Sequence, residues 1–285
     1  MLYDVTHTTT YRYTAPVSLC HNLVHLQPRG TPRQTCRQSD ISVSPTPRGI
    51  QQQRDYFGNP VAIFTIEEPH RQLEISARHR IEVQPAAPIA ASPAWETVRD
   101  QLRNVAAMEA TAFLFDSMYI QRRDELADYA APSFAPARSL HEAVLDLSAR
   151  IHREFKYDAE ATTIATPLSE VLANRHGVCQ DFAHLVIGCL RSLGLAARYV
   201  SGYLRTHAPT RLVGADASHA WLSVYCGDSG WFDVDPTNNL VPSDQHVIMA
   251  WGRDYDDVSP IKGVILGGGT HTMAVAVEVK PVAQT

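Results

Sequence analysis

Cysteine is scarce and unpatterned in this chain. The five residues, at positions 20, 36, 179, 189 and 226, are odd in number and irregularly spaced, so a complete disulfide framework is excluded and a reducing compartment is the simpler setting. Long apolar runs are missing as well, and the N-terminus Met1-Leu-Tyr-Asp-Val-Thr-His7 has neither the charged n-region nor the apolar h-region of an export leader. The expectation is a cytoplasmic protein with no membrane partner, although a mature secreted form lacking its leader would read the same. No basic block is present: 25 Lys plus Arg face 30 Asp plus Glu, a net charge of -5, so no nucleic-acid partner is expected. What the chain does have is 285 residues with 45% apolar content, enough for two modest domains or one large one without covalent staples.

The chain divides into four parts. Residues 1–84 alternate as strands do, with Tyr3, Val5, His7, Thr9, Tyr11 and Tyr13 in one run and Leu73, Ile75, Ala77, His79, Ile81 and Val83 in another. Turn signals at Phe57-Gly-Asn-Pro60 and Glu68-Pro69 separate the runs, which predicts a small antiparallel β-sandwich-like domain. His21 and His25 beside Cys20 lack a further ligand at metal-binding spacing, so they read as structural or solvated. Residues 85–138 form a proline- and alanine-rich linker and a helical segment with Arg122-Arg-Asp-Glu125 on a solvated face. Residues 139–262 form the core, opened by the capping box Ser139-Leu-His-Glu142 and a helix that buries Leu140, Val144, Leu147, Ile151 and Phe155. Residues 263–285 hold Gly267-Gly-Gly269 and a last strand, whose sheet the pattern leaves open.

Within the core, Phe182, Leu185, Val186, Cys189, Leu190 and Leu193 follow the spacing of a helix with one packed face, ended by Gly194. Thr166-Pro167 marks an earlier helix start and Gly177 its stop, which sets Cys179 between two helices at the head of the second. The positive end of a helix dipole favours a thiolate there, and Gly177 would leave the sulfur accessible. Cys189 and Cys226 lie inside apolar patterns and read as small hydrophobes. Downstream, Ala197 to Leu204 reads as a strand of the same sheet, and residues 218–226 and 231–237 read as a hairpin about the turn Gly227-Asp-Ser-Gly230. The hairpin sets His219 opposite Asp235, so a nucleophile, a base and an orienting carboxylate are all available.

Gly-Val-Cys179-Gln-Asp-Phe-Ala, Asp216-Ala-Ser-His219-Ala-Trp and Gly230-Trp-Phe-Asp-Val-Asp235-Pro-Thr-Asn238 resemble, in the same order, the core of the bacterial transglutaminase-like superfamily. Tyr13-Thr-Ala-Pro16-Val17, His25-Leu-Gln-Pro28-Arg29 and Asp55-Tyr-Phe-Gly58-Asn59 resemble that family's N-terminal domain. The resemblance implies an α+β protein in which helices pack on an antiparallel sheet in a papain-like core. It also implies acyl transfer on amide bonds of a peptide or protein substrate through a thioester, with Cys179, His219 and Asp235 as the triad. Asp233 is the rival for the third place, and Asp235 is preferred because it immediately precedes Pro-Thr-Asn. The backbone N–H of Cys179 is the first candidate oxyanion donor, with Tyr157 or Gln180 for a second, and Asp216 and Trp221 are candidate substrate contacts.

No cofactor is expected. Two other classes stand beside the enzyme: a non-catalytic interaction module keeping the same fold, and a zinc protein built on His176, Cys179, His184 and His219. His184 lies about 140° round the helix from Cys179 at 3.6 residues per turn, which counts against the zinc set. The acidic stretch Asp254 to Asp257 offers either cation or amine binding, or plain surface acidity. Hydrolysis and transamidation share the same thioester, so the triad alone does not separate them.

Overall fold

The computed structural model describes residues 1–87, 92–103, 108–205, 212–213 and 218–282. The alternating N-terminal runs become five strands, β1 (Leu2–Val24), β2 (Gln34–Ser44), β3 (Ile50–Arg54), β4 (Pro60–Ile66) and β5 (His70–Val83). Helices α1 (Trp95–Gln101), α2 (Met108–Thr111) and α3 (Asp124–Ala130) follow, and then α4 (Leu140–Glu154), where Ser139 Oγ accepts the Glu142 N–H at 3.3 Å as the capping box requires. Next come β6 (Lys156–Tyr157), α5 (Leu168–Asn174), β7 (His176–Gly177), α6 (Cys179–Ser192), β8 (Ala197–Leu204), β9 (His219–Tyr225), β10 (Trp231–Val234), β11 (His246–Gly252) and α7 (Tyr255–Val258). Strands β12 (Ile261–Gly267) and β13 (His271–Pro281) end the order. Among the described residues no helix is long and apolar enough to cross a membrane.

Strand β1 serves two leaves. Its first half pairs with β5 and β13 and its second with β4 and β12, with register breaks between Arg12 and Val17 and again before Leu19. The two halves pack on each other through Val17, Cys20 and Val24 of β1, Phe64 and Ile66 of β4, and Leu73, Ile75 and Ala77 of β5, giving the sandwich-like interior that the alternation predicts. The chain returns to this sheet with two strands where the sequence showed one. Gly267, Gly268 and Gly269, at φ 91°, 86° and 63°, make the turn between them. Everything from α1 to α7 is thus an insertion between two strands of a single sheet.

The inserted core is a four-stranded antiparallel sheet in the order β10-β9-β8-β11, with α6 packed on one face. Apolar side chains from α3, α4 and α6 join Tyr199, Ala220, Leu222, Val224 and Val234 in one buried cluster. Gly188 lets α3 come close, since a Cβ there would lie 3.0 Å from the Leu126 side chain. Gly194, at φ 80°, ends α6 as the pattern predicts, and the Leu195 N–H reaches back to Leu190 O at 2.9 Å. Buried Arg191 donates to the carbonyls of Phe113, Phe115, Ala197 and Arg253, tying the helical segment to the sheet.

Strand β11 is an edge, and the N-terminal domain covers it. The Gln34 amide accepts from Ile248 N at 2.8 Å and donates to Ile248 O at 2.6 Å, while Asn59 accepts from Trp251 N at 3.0 Å and donates to Trp251 O at 2.8 Å. Two side-chain amides therefore satisfy backbone groups that a neighbouring strand would otherwise pair. The motif residues His25, Arg29 and Asp55 brace this joint: His25 donates to Ser259 O and meets Asp55, and Asp55 and Arg29 both bond Asn59. Tyr3, Val5, Ile81 and Val83 pack on Tyr203, Val247 and Met249 beside it.

Three buried imidazoles give the fold an acid-sensitive stability. Burial, with a further push from neighbouring charge, lowers His7 to about 4 and His184 to about 3, and burial lowers His79 to about 4 against the pull of Leu26 and Asp40. The unfolded chain takes up protons near 6.5 while the folded chain resists them, so this contribution is complete above pH 6.5 and is lost as the pH falls toward 4. Thermal unfolding followed by circular dichroism should show Tm falling by roughly 5–10 °C between pH 7 and 4.5. A flat or rising Tm over that range would contradict it.

Candidate active site

Cys179 is the first residue of α6, and the turn before it is built to hold it there. Helix α5 is ended by Arg175 in the left-handed conformation, at φ 57°, not by Gly177 as the sequence predicted. Gly177 makes room instead, since a Cβ on it would lie 2.7 Å from Asp181 Oδ2. That space lets Asp181 fold back, accept the Val178 N–H at 2.8 Å and take the Thr162 hydroxyl at 2.6 Å. The carboxylate thereby caps the first turn of α6 and fixes the peptide that carries the sulfur. Burial pushes the Asp181 carboxyl up, while Thr162, Val178 and the charge of His176 oppose it. The short parallel pairing of Lys156 with His176 and of Tyr157 with Gly177 braces the same turn.

His219 begins β9 and is wholly buried, with Nε2 2.8 Å from Asp235 Oδ2. Nδ1 has no hydrogen-bond partner of ordinary geometry, and Cys179 lies near enough to act on the ring. Burial alone would lower the imidazole, but the charge and hydrogen bond of Asp235, followed by the influence of Cys179, raise it to about 10. Asp235 has no exposed surface. Its Oδ2 meets His219 and His246 and takes the Asn238 amide at 2.8 Å, and its Oδ1 takes the N–H groups of Thr237 and Asn238. Burial acts to raise this carboxyl, yet these imidazoles bring it below the usual carboxylate range. The rival Asp233 faces elsewhere, bonded to the Ser223 hydroxyl and 3.5 Å from Arg33.

The other predicted site residues separate. Trp221 is not a surface for substrate: it is fully buried, its ring 6.1 Å from that of His219 and 5.2 Å from that of His246, and it walls both imidazoles from water. Asp216 lies outside the described residues. Tyr157 is near the sulfur and 38% exposed; burial raises its hydroxyl pKa, helped by Cys179 and Asp181, and that hydroxyl bonds nothing among the described residues. Gln180 stands half-buried in the first turn of α6 with its amide equally unengaged. The zinc set is not assembled, because His184 Nε2 accepts the Tyr255 N–H at 3.1 Å and its ring stacks on Tyr119. The acidic stretch is structural: Asp254 is buried and takes the N–H groups of Tyr119 and Asp256, while Asp257 pairs with Arg253 and Asp256 with Lys262.

Two members of the site were not foreseen. His246, the first residue of β11, puts Nε2 3.2 Å from Asp235 Oδ2, and with His219 it forms a cluster of metal-ligand types around one oxygen. At these separations the imidazoles serve as hydrogen-bond partners of an already satisfied carboxylate. Burial lowers the His246 pKa against the pull of Asp235. The second is Asp181. A charge in the first turn of an apolar helix was the available signal for it, whereas His246 gave none beyond a histidine before an apolar run.

Gly202, opposite His219 in β8, leaves the room that Trp221 fills: a Cβ there would collide with the Trp221 ring and with Val247 O. Gly202→Ala should therefore cost about 1–3 kcal/mol of stability and loosen the His219–Asp235 pair. Urea unfolding reads the first, and the chemical shifts of the His219 ring read the second. Wild-type stability and an unmoved imidazole in this variant would contradict the packing account.

Residues 3–82 match the bacterial transglutaminase-like N-terminal region, and residues 127–236 match the transglutaminase-like superfamily. An uncharacterized Mycobacterium tuberculosis protein is 40% identical over 98% of this chain and 92% of its own length. A Pseudomonas aeruginosa protein-glutamine gamma-glutamyltransferase is 28% identical over 37% of this chain and 17% of its own length. Among solved structures, a candidate cysteine protease from Cytophaga hutchinsonii superposes with a TM-score of 0.74 at 23% identity, covering 100% of this chain and 92% of that one. With both halves of the architecture matched in sequence, the chain belongs to the transglutaminase-like superfamily, a family of cysteine-based catalysts.

Proposed function

We propose that the protein is a cysteine acyltransferase or amidase that acts on amide bonds of peptide-like substrates. Cys179 is the nucleophile, His219 the proton carrier and Asp235 the carboxylate that orients it. The observation that carries this reading is that Cys179, at the head of α6, lies near enough to the His219 ring to act on it, while the same ring meets a buried carboxylate 2.8 Å away. With His219 raised to about 10, the imidazolium is available as an acid at neutral pH. The Cys179 sulfur attacks the amide carbonyl carbon, and the carbonyl π electrons move to oxygen, where the Cys179 N–H and the Tyr157 hydroxyl are suited to donate. As the tetrahedral species collapses, the C–N bond breaks and His219 gives its Nδ1 proton to the leaving nitrogen, which leaves a thioester. Water or an amine then adds to that thioester, His219 takes the proton, and the sulfur departs as thiolate. Likeness to a gamma-glutamyltransferase over part of the core makes a glutaminyl side chain the first acyl donor to examine.

Incubation with glutaminyl peptides and with small peptides, with and without a primary amine, should release ammonia or cleave the peptide, and an amine adduct seen by mass marks transfer. No turnover on any of them, beside a Cys179 that resists alkylation, would favour the non-catalytic module. Cys179→Ala should lower kcat/KM by at least about 10³-fold with the fold intact. Asp235→Asn should lower it by about 10²–10⁴-fold, and Asp233→Asn by less than about threefold. The reverse order would reassign the third member.

The pH profile provides a separate check. The alkaline limb of kcat/KM should lie near pH 10 in the wild type, where His219 loses its proton. In Asp235→Asn, burial is left less opposed and the limb should move to lower pH. A limb that ignores this substitution would detach His219 from the reaction.

A further inference from the structure

On the face of the core sheet turned away from α6, Arg198 of β8 is held in an unusual way. Its guanidinium lies over the rings of Trp231 on β10 and Trp251 on β11, 4.1 Å and 3.7 Å from their centroids, so indoles from either side of β8 fix its plane. Among the described residues it makes no hydrogen bond or ion pair, and its Nε is sealed from solvent without a partner. Asp233, the carboxylate close enough to act on it, is already bonded to Ser223 and Arg33. Cation–π contact satisfies the faces of a guanidinium and leaves the N–H donors in its plane unanswered. Arg198 is among the residues that line a cavity of about 640 Å³, within the size range of small-molecule sites.

The remaining walls indicate what would answer them. Phe232, Pro242 and Ile248 make the cavity largely apolar, and Arg33 adds a second cation from the N-terminal domain. Arg29, stacked 3.5 Å over Trp251, contributes further positive charge, against Asp233 and the exposed Glu109 at the rim. A planar fork of donors matches the two oxygens of a carboxylate. None of Cys179, His219 and Asp235 lines the cavity, although Asp233 stands two residues before Asp235.

We propose that this cavity binds a carboxylate carried on an apolar or aromatic body, held by Arg198 between its two tryptophans. The site is separate from the thiol, and its occupancy does not depend on the acyl-transfer reading. The test is titration of the full chain, with Cys179→Ala to prevent turnover, by calorimetry and by fluorescence of Trp231 and Trp251. The probes are N-acetyl-phenylalanine, acetyl-Ala-Phe as free acid, and the C-terminal amide of each. Both acids should bind saturably and at least about tenfold more tightly than their amides, the scale of a charge-assisted hydrogen-bonded pair. Comparable affinity for the two acids identifies small carboxylic acids as the source, and tighter binding of the dipeptide identifies a peptide C-terminus; either supports the site. Arg198→Lys, which keeps the charge and loses the fork, should weaken binding about tenfold. Should that variant fail to fold, Arg33→Gln at the cavity wall should still cost about two- to threefold. Equal affinity for acid and amide, or no saturable binding of any probe up to about 10 mM, would overturn the proposal.

Discussion

A carboxylate with no access to water organises the transglutaminase-like core of this molecule. Burying the charge of Asp235 would be prohibitive alone, and removing one partner from such a group costs about 3–5 kcal/mol. The donors that compensate it come from the start of β9, the turn after β10 and the start of β11. The sheet order β10-β9-β8-β11 and the turn after β10 bring those donors to one point. The same constraint orients His219, because a ring whose Nε2 is held by Asp235 has only Nδ1 left to present to the sulfur.

The sulfur is placed by an independent device. Asp181 caps α6 by reaching over a glycine, which sets the sulfur near enough to the His219 ring to act on it. The imidazole is sealed and the thiol is half-exposed, so solvent reaches the pair from the cysteine side. Trp221 accounts for much of that asymmetry, since its ring blankets the far side of both histidines.

Local pattern made some of this readable and left the rest hidden for physical reasons. The helix of Cys179, the hairpin of His219 and Asp235, the Ser139 cap and the choice of Asp235 over Asp233 all follow from short-range periodicity, turn chemistry or motif order. His246 was hidden because its meeting with Asp235 depends on β11 lying across β8 from the hairpin, a pairing that local alternation does not encode. Trp221 resembled a substrate contact because the motif names its neighbour, yet strand parity and Gly202 turn it inward. Gly177 resembled a helix stop because glycine usually serves as one, whereas Arg175 took the left-handed position. In the N-terminal domain the motif residues His25, Arg29, Asp55 and Asn59 proved to be the joint to β11, a role visible only once both domains are in place.

The return of β12 and β13 to the first strand has a bearing on biogenesis. During synthesis β1 emerges before its partners, and two of them leave the ribosome only after the whole inserted core has been made. Until residues 261–281 appear, half the edges of that strand stay unpaired, and the Ser259 carbonyl held by His25 precedes them only narrowly. The nascent chain thus carries a nearly complete thiol centre on an unclosed foundation, and a ribosome stalled late would leave a sticky, open-edged product.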